Sequence, residues 1–177
     1  MKKFYKILFL AVLGTILCLS ASRSSEAKKN FTVSPSSKPY KNKYVKTPVY
    51  NKYTRHYLML RSYLDAMSKK GGGTLTLKKG TYNLTNALPI SSNITVILKD
   101  GVVMNKTNNT HTKKLKTGHI MFECVRSSRL KKKNSIGGYG GEKNIRIAGE
   151  GKVVMNLAKC NKSEAIRVPH CSNVTIE

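Results

Sequence analysis

Apolar side chains recur at Tyr57, Leu60, Leu64 and Met67, a spacing of i, i+3, i+7 and i+10 that lays them along one helix face. Thr54 stands where an N-cap belongs, Gly71-Gly72-Gly73 ends the run, and Lys69 and Lys70 fall in the last turn, where the helix dipole favours cations. The pattern predicts one short amphipathic helix over residues 55–70. Beyond Gly73 the period drops to two: Thr74-Leu75-Thr76-Leu77 alternates, Lys79-Gly80 turns, and Thr81-Tyr82-Asn83-Leu84 resumes.

The strand-like part then repeats. Residues 93–105, reading NITVILKDGVVMN, align without a gap on residues 144–156, reading NIRIAGEGKVVMN, at an offset of 51 residues. A third copy opens at Asn173-Val174-Thr175-Ile176, 29 residues after Asn144. Repeats made of short strands and Gly turns predict a mainly β fold, a parallel β-solenoid in which Ile, Val and Leu fill the interior and Thr, Lys and Arg face water. An open solenoid end exposes apolar side chains and unpaired edges, so the helix is expected to cap it. Asn at matching turn positions is expected to cap or ladder the coils rather than to mark glycosylation, although Asn83, Asn93 and Asn173 lie in Asn-x-Ser/Thr sequons.

Two segments precede the helix. Lys2, Lys3 and Lys6, the uncharged apolar run from Ile7 to Leu19, and Ser25-Glu26-Ala27 read as a signal peptide over residues 1–27, which predicts a secreted product, cell-wall associated in one version. The apolar run is short for a membrane span, so none is expected after cleavage. Residues 28–54 are rich in Lys, Tyr and Pro and carry no acid, which predicts an extended basic linker whose Tyr40, Tyr44, Tyr50 and Tyr53 interleave with Lys. Residues 55–177 hold the helix and the first rungs.

Charge sharpens this picture. The chain has 33 Lys and Arg against 8 Asp and Glu, and residues 28–177 keep a net charge of +22. So few acids argue against a calcium cage or a two-metal centre, and no metal site or cofactor is assigned. Such a surplus attracts polyanions: acidic polysaccharide or an anionic cell-wall polymer, with no specific nucleic acid expected. The loop 106–118 and the run from Arg129 to Lys133 are expected to add exposed cations. Cys124, Cys160 and Cys171 are odd in number, so at most one internal bridge forms; Cys160 and Cys171 are the nearer pair, and buried free thiols are the alternative.

The helix, the Gly71-Gly72-Gly73-Thr74-Leu75 stretch, Gly80-Thr81-Tyr82 and residues 89–95 occur in an order that resembles the N-terminal opening of pectin-lyase-like right-handed parallel β-helix proteins. Residues 140–156 are similar to a rung of that family. Lys78-Lys79 departs from its usual Leu-Pro, and Val154-Met155-Asn156 stands where hydrolase members often carry Ile-Asp-Gly. The resemblance implies chemistry on acidic glycans, as in pectate lyases, family 28 glycoside hydrolases, and alginate or chondroitin lyases. It also implies that catalytic acids lie on later rungs. Because the chain stops inside its third rung copy, it is expected to be the N-terminal part of a longer, C-terminally truncated β-helix protein without a complete active site.

Sugar hydrolysis wants two opposed carboxyls, and no two acids share a motif here. Asp100 before Gly101 reads as turn chemistry. The candidates for catalysis are Glu164, which no turn explains, and Arg167 and His170, which flank the third rung and could serve elimination; His119, before a strand, is a further groove candidate. The Gly137–Gly141 cluster precedes a strand, not a helix, and reads as a loop between rungs rather than a phosphate loop. The rival reading is a non-catalytic cationic module that binds carbohydrate or attaches to a cell wall.

Overall fold

The computed structural model describes residues 28–130 and 140–177. The expected signal peptide, Lys131–Lys133 of the basic run and Gly137–Tyr139 of the glycine cluster lie outside those residues. In chain order the described elements are β1 (Lys29–Val33), α1 (Arg55–Lys69), β2 (Gly73–Leu77), β3 (Gly80–Leu84), β4 (Leu88–Pro89), β5 (Ile94–Leu98), β6 (Val102–Lys106), β7 (Ile120–Glu123), β8 (Lys143–Gly149), β9 (Val154–Asn156), β10 (Glu164–Arg167) and β11 (Ser172–Ile176). Two short 3-10 turns, Asn42–Tyr44 and Ser127–Arg129, complete them.

The fold is mainly β with one helix. Its strands form three parallel sheets: β1-β2-β5-β8-β11, β3-β6-β9 and β4-β7-β10. From β2 onward the chain visits the first, second and third sheet in the same rotation each time. Repeat offset and strand register coincide: Val96 pairs with Ile147 and Met104 with Met155, 51 residues apart, and Ile145 with Val174, 29 apart. Like therefore stacks on like. Leu75, Val96, Ile147 and Ile176 form one column of the first sheet, and their exposures are 1%, 0%, 2% and 53%. The interior is dry along the column and opens at β11.

The ladder expectation holds. Asn93, Asn144 and Asn173 sit just before β5, inside the start of β8 and inside the start of β11, with φ of 62°, 57° and 52°. Asn tolerates this left-handed conformation better than most side chains. The Nδ2 of Asn173 donates to Asn144 Oδ1 at 2.8 Å, Asn144 to Asn93 Oδ1 at 2.9 Å, and Asn93 to the Gly71 carbonyl at 3.2 Å. A second amide column runs Asn156 to Asn105 to Asn83, each step 3.2 Å. In the first pass Gly72 takes the corner, where a Cβ would lie 2.2 Å from the Asn93 carbonyl oxygen.

The helix ends as the glycines require: Gly72 N–H donates to the Met67 carbonyl at 3.0 Å and Gly71 N–H to Ser68 at 3.4 Å, with Gly71 at φ 75°. Its start differs from expectation. Thr54 occupies the cap position, but its hydroxyl donates backwards to the Val49 carbonyl at 2.6 Å and caps no helical N–H. Asn51 Oδ1 accepts the Tyr53 and Thr54 N–H groups instead, an Asx turn feeding the helix. α1 packs against β1, β2, β3 and β4, an early strand of each sheet.

The linker reading of residues 28–54 is corrected. Phe31 and Val33 alternate with Thr32, β1 adds to the first sheet in register with β2, and Val33 is buried. Tyr40 N–H donates to Ser62 Oγ at 2.7 Å, Tyr63 Oη donates to the Lys38 carbonyl at 3.1 Å, and the rings of Phe31, Tyr40 and Tyr63 pack with centroids 5.0–5.7 Å apart. Tyr40 and Tyr44 thus pack on the helix, whereas Tyr53 is exposed and stacks on His111. This second layer explains why burial on α1 spreads beyond the predicted stripe to Leu58, Met59, Ser62 and Ala66.

Asn144 separates backbone from side chain. Asn144→Ala, which strains the left-handed corner and breaks the amide column, is expected to cost about 1–2 kcal/mol in urea unfolding. Asn144→Gly relieves the strain and is expected to cost clearly less. Equal costs would assign the whole effect to the amide column.

Candidate functional site

The third sheet brings two of the three predicted residues, Glu164 and Arg167, together. β10 pairs in parallel with β7, which places Arg167 beside Glu123, 44 positions earlier. Arg167 grips Glu164 with two nitrogens, Nε at 2.7 Å from Oε2 and Nη2 on Oε1, while its Nη1 stands 4.0 Å from Glu123 Oε1. One guanidinium thus serves two carboxyls in unlike surroundings. Glu123 is 7% exposed. Burial raises its pKa, the Arg167 charge opposes that and the Glu164 charge adds to it. Glu164 is held below the usual carboxylate range, chiefly by the Arg167 hydrogen bonds. A carboxyl biased toward its protonated form beside one biased toward its ionised form is the division that general acid–base chemistry uses.

His170 stands apart from this triad. It adopts φ 48°, its side chain is exposed, and its carbonyl oxygen would lie 2.1 Å from a Cβ at Gly141. Its ring makes no hydrogen bond or ion pair among the described residues, so the structure gives it a turn role. His119 is better placed. Its carbonyl accepts the Glu164 N–H at 3.0 Å, and the residue lines a groove of about 320 Å³ with Asn108, Thr117, Lys159, Cys160 and Asn161. The groove therefore borders the start of β10.

Lys106 corrects the expectation that the loop 106–118 begins with an exposed cation. It ends β6, opposite Leu84 in the ladder, and is 1% exposed. Its Nζ donates to the carbonyls of Leu84 at 3.1 Å, Thr85 at 2.9 Å and Thr107 at 3.2 Å. Three acceptors for three protons make burial tolerable. Burial still drives its pKa down to about 8, with only a small opposing pull from Cys160. Lysine at an inward position is illegible as such in a chain where lysine is everywhere.

The other carboxylates are spent on structure. Glu142 accepts Ser92 N–H at 2.8 Å, Ser92 Oγ at 2.6 Å and Arg126 Nε at 2.7 Å. Burial pushes its pKa up, but those hydrogen bonds outweigh it and hold it low. Asp100 accepts the Lys152 N–H at 2.7 Å, a bond to the turn one pass away rather than within its own turn. Glu150 pairs with Lys99, Glu177 with Arg146, and Asp65 with Arg61. Among the described residues no three His, Cys, Asp or Glu converge to hold a metal ion, and no helix is long and apolar enough to cross a membrane. Cys124, Cys160 and Cys171 are free thiols, so the Cys160–Cys171 bridge is not formed. Cys171 Sγ instead lies 3.2 Å from the Cys124 carbonyl oxygen, and burial pushes the Cys124 thiol up to about 12.

Lys106 sets a pH dependence. The unfolded lysine keeps its proton to about pH 10.5, whereas the folded one loses it near 8. Between these values the unfolded state binds more protons, so raising the pH favours the folded state. Relative to Lys106→Met, in which other titrations cancel, the wild type is expected to gain stability on the order of 1 kcal/mol per pH unit from pH 8 to 10.5. Urea midpoints of both proteins across that range measure it. No protein-family model, curated protein or solved structure matches this chain.

Proposed function

We propose that the three parallel sheets are the faces of a right-handed parallel β-helix with α1 over its N-terminal end, and that the protein is exported and binds acidic polysaccharide at an anionic cell surface. The fixed rotation through the sheets, the like-on-like register and the two Asn columns support the solenoid. One observation carries the functional reading: every carboxylate from Asp65 to Glu177 is already engaged within the protein. Lys41, Lys46, Lys52, Lys113, Lys114, Lys116, Lys152, Lys159 and Lys162 are exposed with no carboxylate partner among the described residues. Uncompensated cations in that number repel one another, and a polyanion relieves the repulsion. Lys116 runs into the sheet-3 groove at Thr117, and Lys159 lines it, so the groove is where we seat a sugar residue.

A second reading adds chemistry. The opposed pKa directions of Glu123 and Glu164 around Arg167 favour hydrolysis or β-elimination of the bound glycan, with Glu123 as proton donor and Glu164 as the ionised partner.

Binding of the full chain to polygalacturonate is expected to weaken steeply between 50 and 500 mM salt, and to exceed binding to uncharged dextran at low salt. Replacing Lys113, Lys114 and Lys116 together by Ser is expected to weaken it roughly tenfold, about 0.5 kcal/mol per charge. Salt-independent binding, or equal binding to dextran, would overturn the reading. For the second reading, product release from polygalacturonate is expected to vanish in Glu123→Gln; product formation that persists in that variant refutes it.

A further inference from the structure

A second cavity shares no residue with the sheet-3 groove, although Leu115 of its lining stands two residues before Thr117 of the groove. It measures about 400 Å³ and opens between the docked segment 43–49, α1 and Leu115 of the loop after β6. That is the size of a small-molecule site. Its lining includes three aliphatic side chains, Val49, Leu58 and Leu115. The polar part of the lining is built around Arg61.

That polar part is organised from within. Asp65 Oδ1 accepts the Ser127 hydroxyl, and Oδ2 accepts the Tyr44 hydroxyl and, at 3.4 Å, Arg61 Nε. Arg61 Nη1 donates to the Tyr57 hydroxyl oxygen at 2.7 Å. The guanidinium is thereby fixed at two edges, and its Nη2 has no partner among the described residues. The Tyr57 hydroxyl accepts from Arg61 and keeps its own proton to give. Lys43 Nζ rests over the Tyr44 ring, 5.1 Å from its centroid, and makes no hydrogen bond. The Thr47 hydroxyl, on the same lining, is also free among the described residues.

The consequence is an imbalance of donors over acceptors. Asp65 is already engaged by three donors, whereas Arg61, Tyr57, Lys43 and Thr47 each hold a donor in reserve. A partly buried guanidinium with one idle edge gains most from a carboxylate, which pairs with it along that edge. The aliphatic side chains of the lining ask for a C–H face, which an inorganic anion lacks. A ligand of this volume with one carboxylate, several hydroxyl oxygens and an apolar face is a hexuronic acid. We propose that this cleft is a hexuronate site, with Arg61 and Tyr57 on the carboxylate, Lys43 and Thr47 on ring hydroxyls, and Val49, Leu58 and Leu115 against the sugar's C–H face.

The site is tested with one sugar at a time, so its outcome is independent of polymer binding. Titrating the full chain with D-galacturonate is expected to shift the Tyr44 and Tyr57 ring resonances saturably, and D-galactose to bind at least tenfold more weakly. Arg61→Met, which keeps the stem and removes the charge, is expected to cost at least tenfold in affinity. Thr47→Val, away from the Asp65 network, is expected to cost a few-fold and guards against misfolding of the first variant. Equal binding of galactose, absence of the shifts, or full affinity in Arg61→Met would overturn the proposal. So would displacement of galacturonate by inorganic phosphate at equal concentration, since the aliphatic side chains would then take no part.

Discussion

Parallel pairing in constant register is the constraint on which the rest depends. A strand pair aligned at one offset fixes which side chain stands above which, and a one-residue slip would turn every inward residue outward. Residues 93–105 and 144–156 meet at a single offset across two sheets and the corner between them. The interior columns, the two amide columns and the left-handed corners follow from that one alignment. Where a like residue is unavailable, the chain substitutes for function: Gly72 replaces Asn at the first corner, and Lys106 replaces an aliphatic residue and must satisfy itself on three carbonyls.

Electrostatics divides the protein unevenly. Acids are rare, and each of those among the described residues is committed, to a neighbouring pass as Asp100 and Glu150 are, or to a partly buried junction as Glu142 and Asp65 are. Negative charge acts here as mortar between passes. Positive charge is left over for the surface. The exception is the triad on the third sheet, where two carboxyls share one arginine and their pKa values shift in opposite directions.

Much of the framework was legible in the sequence because stacked passes leave a periodic trace: the repeat, the helix and the Asn columns could all be read from spacing alone. The docked segment was not, because lysine and tyrosine in alternation suit an exposed arm as well as a strap, and only Phe31 and Val33 hinted at a strand. Arg167 and Glu164 stood out as candidates, but their contact with Glu123 was not legible, since Glu123 lies 44 residues before Arg167 and nothing local links them. Thr54 misled because a threonine ahead of a helix caps it in most settings, whereas here the Asn51 side chain had already taken the turn.

The rotation through the sheets has a consequence for how such a chain can change length. The stretch from first to second sheet is nearly uniform: 93–105 over 144–156 keeps one offset, and the pass before it shifts by a single residue, from 21 at Gly73–Ile94 to 22 at Gly80–Val102. The stretches into and out of the third sheet are not: Leu88 stands opposite Phe122, 34 residues on, and Phe122 opposite Ile166, 44 on. Differences in length are therefore accommodated mainly on the side of the third sheet, while the asparagine corner acts as a nearly fixed spine. A scaffold of this kind can lengthen or shorten its connections there without disturbing the pairing that holds it together.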